Sequence, residues 1–393
     1  MRVGILSSHP IQYQAPWFQA LAPVLDLEVF FAHRQSAAEQ GRAGYGVAFE
    51  WDVDLLSGYR HRFLENVARE PNVNRFPGCD TPEVRNVVAV GRFDAFVVTG
   101  WYLKSYWQAI RACRRHRVPV LVRGDSHLST PRSCWTRWLK AVTHRWLVRQ
   151  FDGFLVVGQR NREYLVHYGV PPGRLFAGPH FVDNAWFAAR AESARASRVA
   201  KRVEWGCGPG DYAALFVGRF IPEKQVAIFL SAVAAARASG TPVVPVLVGA
   251  GPLEGELRAQ AAAAGVPAHF VGFKNQSELP PFYAAADFLV LPSVSETWGL
   301  VVNEAMACGL PAIVSETVGC APDLVTEGET GFTFPTGSEA GLMASLRRCV
   351  EQCRAGHDFR PALAARMQVY SVEAAVAGLL QAVRTLRSEG GRA

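Results

Sequence analysis

Both halves of this 393-residue chain repeat one grammar: a short run rich in Val, Ile, Leu and Phe, then a helical stretch of ten or more residues. The runs do not alternate apolar with polar, so each strand is expected to be buried on both faces. That is how parallel sheets with crossover helices read. In the first half the strand candidates are Val3–Ser7, Leu27–Phe31, Ala95–Thr99, Pro119–Arg123 and Gly153–Val157, and in the second Ala213–Val217, Val243–Val248, His269–Val271, Phe288–Leu291 and Ala312–Val314. Helices are predicted over Ser105–Arg117, Pro131–Arg149, Lys224–Ala238, Leu253–Ala264 and Leu300–Ala307. Two α/β sheets in succession follow.

The predicted organisation is an N-terminal Rossmann-like domain over 1–184, a linker over 185–210, a second Rossmann-like domain over 211–370, and a C-terminal helix over 371–393 that packs back on the first domain. Two such domains are expected to face each other across a cleft. Ligands of open α/β sheets bind outside the carboxyl ends of the strands, so residues just after each strand matter most. With 49% hydrophobic and 19% charged residues the chain has material for packed cores, which excludes disorder as its main state. No apolar run approaches the roughly 18 residues of a membrane helix. The first strand runs straight into Ser7-Ser8-His9, without the apolar core of a secretory signal, so a cytoplasmic protein is expected. The eight cysteines include no CxxC pair and read as reduced structural thiols.

Three segments carry chemistry. After Phe288–Leu291 come Glu296, Trp298 and Gly299, where a helix is predicted to start, with Leu300 in its first turn and Glu304 about one turn deeper. Free amides of that first turn and the positive end of the helix form an anion site. A carboxylate at Glu304 suits a diol such as ribose, and Glu296 suits a sugar hydroxyl. The plainer alternative makes Glu296 a helix-start carboxylate and Glu304 a solvated surface residue. The second segment, Gly218-Arg219 through Lys224, places two cations after a strand, a spacing that grips a diphosphate. Only five of 41 basic residues are lysines, so Lys224 breaks the chain's habit. Third, Gly249-Ala250-Gly251-Pro252 fails the dinucleotide fingerprint, because Glu254 stands where a third glycine belongs. It reads as a tight turn, next to Gly272-Phe273-Lys274, that either lets backbone approach a nucleobase or is only a turn.

In this order the segments resemble the family 4 retaining glycosyltransferases of the GT-B fold. The likeness rests on Gly218-Arg219 with Glu223-Lys224, the turn at 249–252, Phe270 to Phe273, the pair Glu296 and Glu304 seven residues apart, and Thr330-Gly331-Phe332. The resemblance implies that Arg219 and Lys224 hold the diphosphate of a nucleotide-sugar donor and that Glu304 binds its ribose. It further implies that Glu296 and the amides of Trp298, Gly299 and Leu300 hold the sugar, with Gly218, Gly251 and Phe273 lining the donor site. Retention of configuration without cofactor or metal is implied as well. The Asp52-Val53-Asp54 triplet matches a metal-binding Asp-x-Asp, but it follows no strand run and is read as chance.

In the first half the chain resembles a subgroup with His9-Pro10-Ile11-Gln12-Tyr13 and Trp51-Asp52 through Gly58-Tyr59. His9, Gln12, Gly100-Trp101, Asp125, His127 and His180 follow strand runs. Asp125 and His127 are the candidates for orienting an acceptor hydroxyl or taking its proton. The net charge of +7 is unevenly placed: residues 1–190 carry +9 and the remainder −2. Its surplus falls on Arg111, Arg114, Arg115 and Arg117 and on the predicted helix 131–149, where Arg alternates with Trp135, Trp138 and Trp146. That helix either lies on an anionic membrane surface or turns its tryptophans to the core. The expected partners are thus a nucleotide-diphosphate sugar, a glycan or lipid-linked acceptor and an anionic bilayer, and no nucleic acid. A nucleotide-sugar epimerase and a non-enzymatic anionic-surface binder remain as alternatives.

Overall fold

The computed structural model describes residues 1–42, 48–128 and 143–390. Among the described residues, thirteen strands form two fully parallel sheets. The first contains β1 (Arg2–Ser7), β2 (Asp26–Phe31), β3 (His61–Phe63), β4 (Ala95–Val98), β5 (Val120–Gly124), β6 (Gly153–Val156) and β7 (Leu175–Ala177), in the order β3-β2-β1-β4-β5-β6-β7. The second contains β8 (Tyr212–Val217), β9 (Val243–Val248), β10 (His269–Gly272), β11 (Phe288–Leu291), β12 (Ala312–Ser315) and β13 (Gly331–Phe334), in the order β10-β9-β8-β11-β12-β13. Each order reverses beside its first strand, at β1/β4 and at β8/β11, and these reversals open the crevices in which doubly wound sheets hold ligands.

The chain divides into two compact units. One comprises Met1–Gln35, Asp54–Phe181 and Ser371–Ala393; the other comprises Ser36–Val53 and Val182–Tyr370. In the first, one sheet face packs Phe30, Phe96, Val98 and Tyr106. The opposite face packs Val3, Ile5, Trp17 and Phe18 together with Ala375, Leu379 and Val383 of the C-terminal helix.

Three expectations need correction. Strands β3 and β7 have only three residues each, too short to show a pattern in sequence. Residues 185–210 are not an extended linker. Helices Asn184–Ala194 and Arg198–Glu204 occupy most of the segment, with Phe187, Ala191 and Trp205 buried. Arg198 and Arg202 both clasp Asp287 at 2.6 Å, and Asp287 also accepts the Ala213 amide. The segment read as a linker is helical and packs on its own unit. Third, Ser36–Val53 groups with the second unit although its sequence lies in the first half.

One glycine is decided by packing rather than by propensity. A Cβ on Gly378, inside the C-terminal helix, would lie 1.6 Å from the Ala177 carbonyl oxygen at the end of β7. Alanine is favoured over glycine by about 1 kcal/mol inside a helix, but overpacking a close contact costs about 1–3 kcal/mol. Gly378→Ala is therefore expected to lower the urea midpoint of unfolding. A raised midpoint would mean that the helix does not approach β7 so closely.

Candidate functional site

The two strongest sequence segments flank the reversal of the second sheet. Beyond β8 the chain passes through Gly218 and Arg219, makes a 3-10 turn at Pro222–Lys224, and enters the helix Val226–Ala238. Beyond β11 it passes Glu296 and caps the helix Leu300–Ala307 with Gly299 in the left-handed region (φ 99°). The loops are joined twice. Lys224 forms an ion pair with Glu296, and the Val294 amide donates to the Glu223 carbonyl at 2.9 Å. Lys224 and Glu296 retain only 12% and 21% of their side-chain exposure, so little water screens the pair.

Glu304 is 2% exposed, which removes the reading of a solvated surface residue. The equally buried Tyr283 hydroxyl donates to Glu304 Oε2 at 2.5 Å. The Trp298 indole donates to Asn303 Oδ1 at 2.7 Å, which holds the loop ahead of the helix.

The glycine turn has a structural cause. Gly218 donates to the Val248 carbonyl, Phe220 to that of Ala250 and Leu253 to that of Phe220, so the turn lies directly on the Arg219 loop. A Cβ on Gly249 would sit 1.8 Å from the Gly218 oxygen, and one on Gly251 would sit 2.5 Å from the Phe220 oxygen. The glycines let two backbones touch and thereby shape the Arg219 loop. Phe273 lies 4.7 Å from the Phe49 ring. Nearby, Asp52 accepts from the Ser277 amide and hydroxyl, whereas Asp54 accepts from the Leu56 and Ser57 amides. Both carboxylates of the Asp-x-Asp triplet thus stabilise turns, and no acidic, His or Cys cluster suited to a metal occurs among the described residues.

In the first unit the candidates follow β1, β4 and β5. His9 Nδ1 lies 3.0 Å from the Ser8 hydroxyl, and Ser7 donates to Gln14 at 2.7 Å. Gln12 and His127 are buried, while Asp125 is half-buried. Asn161 was not singled out in the sequence, yet it donates to the Ser126 carbonyl at 3.0 Å and accepts from the Val157 amide, fixing the Asp125–His127 loop. A polar residue at a buried position beside a helix start was its one signal. Arg123 was also missed. Burial pushes its pKa down to about 10, although the Asp125 charge pulls the other way. It donates to the Pro179 carbonyl and lies over Phe181 at 5.2 Å.

The basic surface is partly visible. Arg111, Arg114, Arg115, His116 and Arg117 are exposed, as are Arg145 and Arg149. Residues 143–148 are helical, and there Leu147 and Val148 face the core while Trp146 is 55% exposed and stacks on Trp107 at 5.5 Å. Trp146 therefore does not belong to a core-facing stripe. Arg132, Trp135, Arg137, Trp138 and Lys140 lie outside the described residues.

Two Rossmann-type parallel sheets in one chain, with the candidate loops following their strands, are the architecture shared by the GT-B glycosyltransferases that this structure resembles. Residues 198–362 match the family model for glycosyl transferases group 1, and residues 24–179 match the glycosyl transferase 4-like domain. The chain therefore carries a group 1 glycosyltransferase domain behind a glycosyltransferase 4-like domain. Among curated relatives, a D-inositol 3-phosphate glycosyltransferase of Streptomyces bingchenggensis is 32% identical over 267 residues, 63% of this chain and 55% of that protein. The chain spans about half the length of the curated relatives it matches first. The solved structure of Anabaena HepE in complex with UDP superposes with a TM-score of 0.72 at 18% identity, covering 98% of this chain and 100% of that one. The lipopolysaccharide outer core galactosyltransferase WaaB superposes with a TM-score of 0.68 at 13% identity, covering 98% and 99%. These two likenesses are of fold.

Burial first, and the Arg123 charge second, hold the pKa of His180 well below its ordinary 6.5. As pH falls through 6.5 the unfolded chain takes up a proton that folded His180 refuses, so stability present above 6.5 is lost on acidification. The free energy of unfolding should fall between pH 7 and 5, by at most about 1.4 kcal/mol per pH unit from this group. The slope should be shallower in His180→Gln; an identical slope would show that His180 titrates normally.

Proposed function

We propose that this protein is a retaining, metal-independent glycosyltransferase that moves a sugar from a nucleotide-diphosphate donor to an acceptor hydroxyl of a bacterial surface glycan or its lipid-linked precursor. The observation that carries the reading is the largely enclosed Lys224–Glu296 ion pair, which joins the loop that follows Arg219 to the loop that leads into the helix Leu300–Ala307. An arriving diphosphate competes for Lys224. The lysine and Arg219 then stabilise the leaving group, and Glu296 is released to the sugar hydroxyls beside the amides of Trp298, Gly299 and Leu300. Fixed cations neutralise charge on a departing diphosphate without reorganising, and this suits a reaction that needs no metal. Glu304 takes the ribose hydroxyls. Gly218, Gly251 and Phe273 bound the nucleotide.

Support for a uridine donor comes from the fold neighbour HepE, which has been solved in complex with UDP and with UDP-glucose. Names of the curated relatives supply a hydroxyl acceptor, inositol 3-phosphate. In this reading His9, Gln12, Asp125 and His127 receive the acceptor, His9 and Gln12 marking the subgroup with His9 to Tyr13. Arg145, Trp146 and Arg149 lead the protein to the cytoplasmic face of an anionic bilayer.

A panel of UDP-, GDP- and ADP-sugars, read by release of the nucleotide diphosphate with and without acceptor, tests the activity. Turnover of donor to an isomer without acceptor would indicate an epimerase instead. Glu304→Ala should weaken nucleotide-diphosphate binding by roughly 10–100-fold, the loss of hydrogen bonds to a charged group. Calorimetric titration measures this, and unchanged affinity refutes the ribose assignment. Lys224→Ala should lower kcat far more than it lowers the melting temperature.

A further inference from the structure

We infer that Tyr370 is a positioning residue for the donor-sugar loop, holding Trp298, and through it Glu296 and the amides at Gly299 and Leu300, in register. This rests on the reading of 296–300 as the sugar-contacting segment. Tyr370 is the last residue of the second unit, where the chain returns to the first. Three of its groups are committed. Its ring packs on the Trp298 indole, with centroids 5.8 Å apart. Its hydroxyl donates to Asp323 Oδ1 at 2.6 Å. Its carbonyl accepts from Asn184 Nδ2 at 3.2 Å, and the same amide group donates to the Met367 carbonyl at 2.8 Å.

These bonds link features far apart in sequence. Asn184 stands two residues after the chain enters the second unit at Val182, so a single side chain ties the entering segment to the departing one. Asp323 is itself 6% exposed, and Arg366 donates to its backbone carbonyl and, at 2.9 Å, to Thr326 Oγ1. Tyr370 is thereby braced on two sides and can serve as an anchor.

What it anchors is a loop short of other anchors of its size. Between Pro292 and Gly299, Trp298 is the one large side chain, and it is 4% exposed. Its backbone oxygen accepts from Cys320 at 2.9 Å, and the Glu296 oxygen accepts from Gly319 at 3.0 Å. Those bonds hold one edge of the loop; the indole, fixed between Asn303 and Tyr370, sets its rotation. Groups that meet a reacting sugar must be held within about 0.5 Å of their productive positions. Loss of the Tyr370 ring removes one of the two supports of the indole, Asn303 being the other, and a shift of the indole carries the adjoining backbone amides with it.

A role confined to packing would change binding of every donor fragment alike, whereas positioning of the sugar loop affects only the sugar. The test is the ratio of affinities for UDP-glucose and UDP, or for the corresponding pair that the wild-type protein binds, measured by calorimetric titration on the full chain. In Tyr370→Ala, UDP affinity should stay within about twofold, while the affinity gained from the sugar and kcat should each drop roughly tenfold. Tyr370→Phe, which keeps the ring on Trp298, should restore most of both. Asn184→Ala, with the ring retained but its carbonyl tie removed, should fall between them and covers the case in which Tyr370→Ala does not fold. Equal losses for UDP and UDP-glucose, or no loss for either, overturn the inference. Glu304→Ala separates it from the functional reading. If that variant loses UDP affinity while the ratio stays constant in the Tyr370 and Asn184 variants, only the positioning role fails. If it leaves UDP affinity intact, the donor site itself has been misplaced.

Discussion

A parallel sheet delivers every strand to the same edge, and where the strand order reverses the connecting loops must part. That constraint places the chemistry of the second unit. The loop after β8 brings Arg219 and Lys224, the loop after β11 brings Glu296 and the start of the helix Leu300–Ala307, and the Lys224–Glu296 pair closes the gap between them. Two opposite charges withdrawn from water cost several kcal/mol that their attraction must offset. As an arrangement for stability alone the pair is a poor choice, since apolar residues would fill the same space. Under the proposed donor reading it is a poised one, with a cation already stripped of much of its water when an anion arrives.

Much of this was legible in the sequence, because parallel strands and strand-end motifs are local signals. Apolar runs between helical stretches gave ten strand positions, and the segments at 218–224 and 296–304 fall at the reversal of the second sheet. The failures share a different origin. Strands β3 and β7 are defined by their neighbours rather than by their own three residues. The segment 185–210 has the composition of a tether, and only Asp287, about ninety residues later, reveals why Arg198 and Arg202 are there. Asn161 and Tyr370 act through a carbonyl and a ring that no spacing rule connects to them. Periodicity reports which face of an element is buried, and long-range partners leave no trace in it.

The glycine turn at 249–252 is a motif legible in the sequence whose glycines find their physical reason only in the structure. Sequence suggested that its glycines bring backbone to a nucleobase or merely turn the chain. In the structure the room beside them is taken by the Gly218 and Phe220 backbones. The turn therefore acts at one remove. By lying against the Arg219 loop it fixes where that loop leaves β8, and a cation on a fixed loop can stabilise developing charge without first paying to be ordered.

Net charge is the property that says least about the site and most about the surface. The excess of +9 in residues 1–190 is visible on exposed Arg111, Arg114, Arg115, Arg145 and Arg149 around the stacked Trp107 and Trp146. Charges there remain hydrated, and salt screens them beyond roughly 10 Å. The second half is slightly acidic in total, yet its Lys224 is paired with Glu296 where little water screens the charges, and there each charge counts for more. The bulk charge thus belongs to the surface of the first half, and under the proposed donor reading an anion received beside Lys224, in a half that is slightly acidic overall, has to be held by local geometry and not by the field of the molecule.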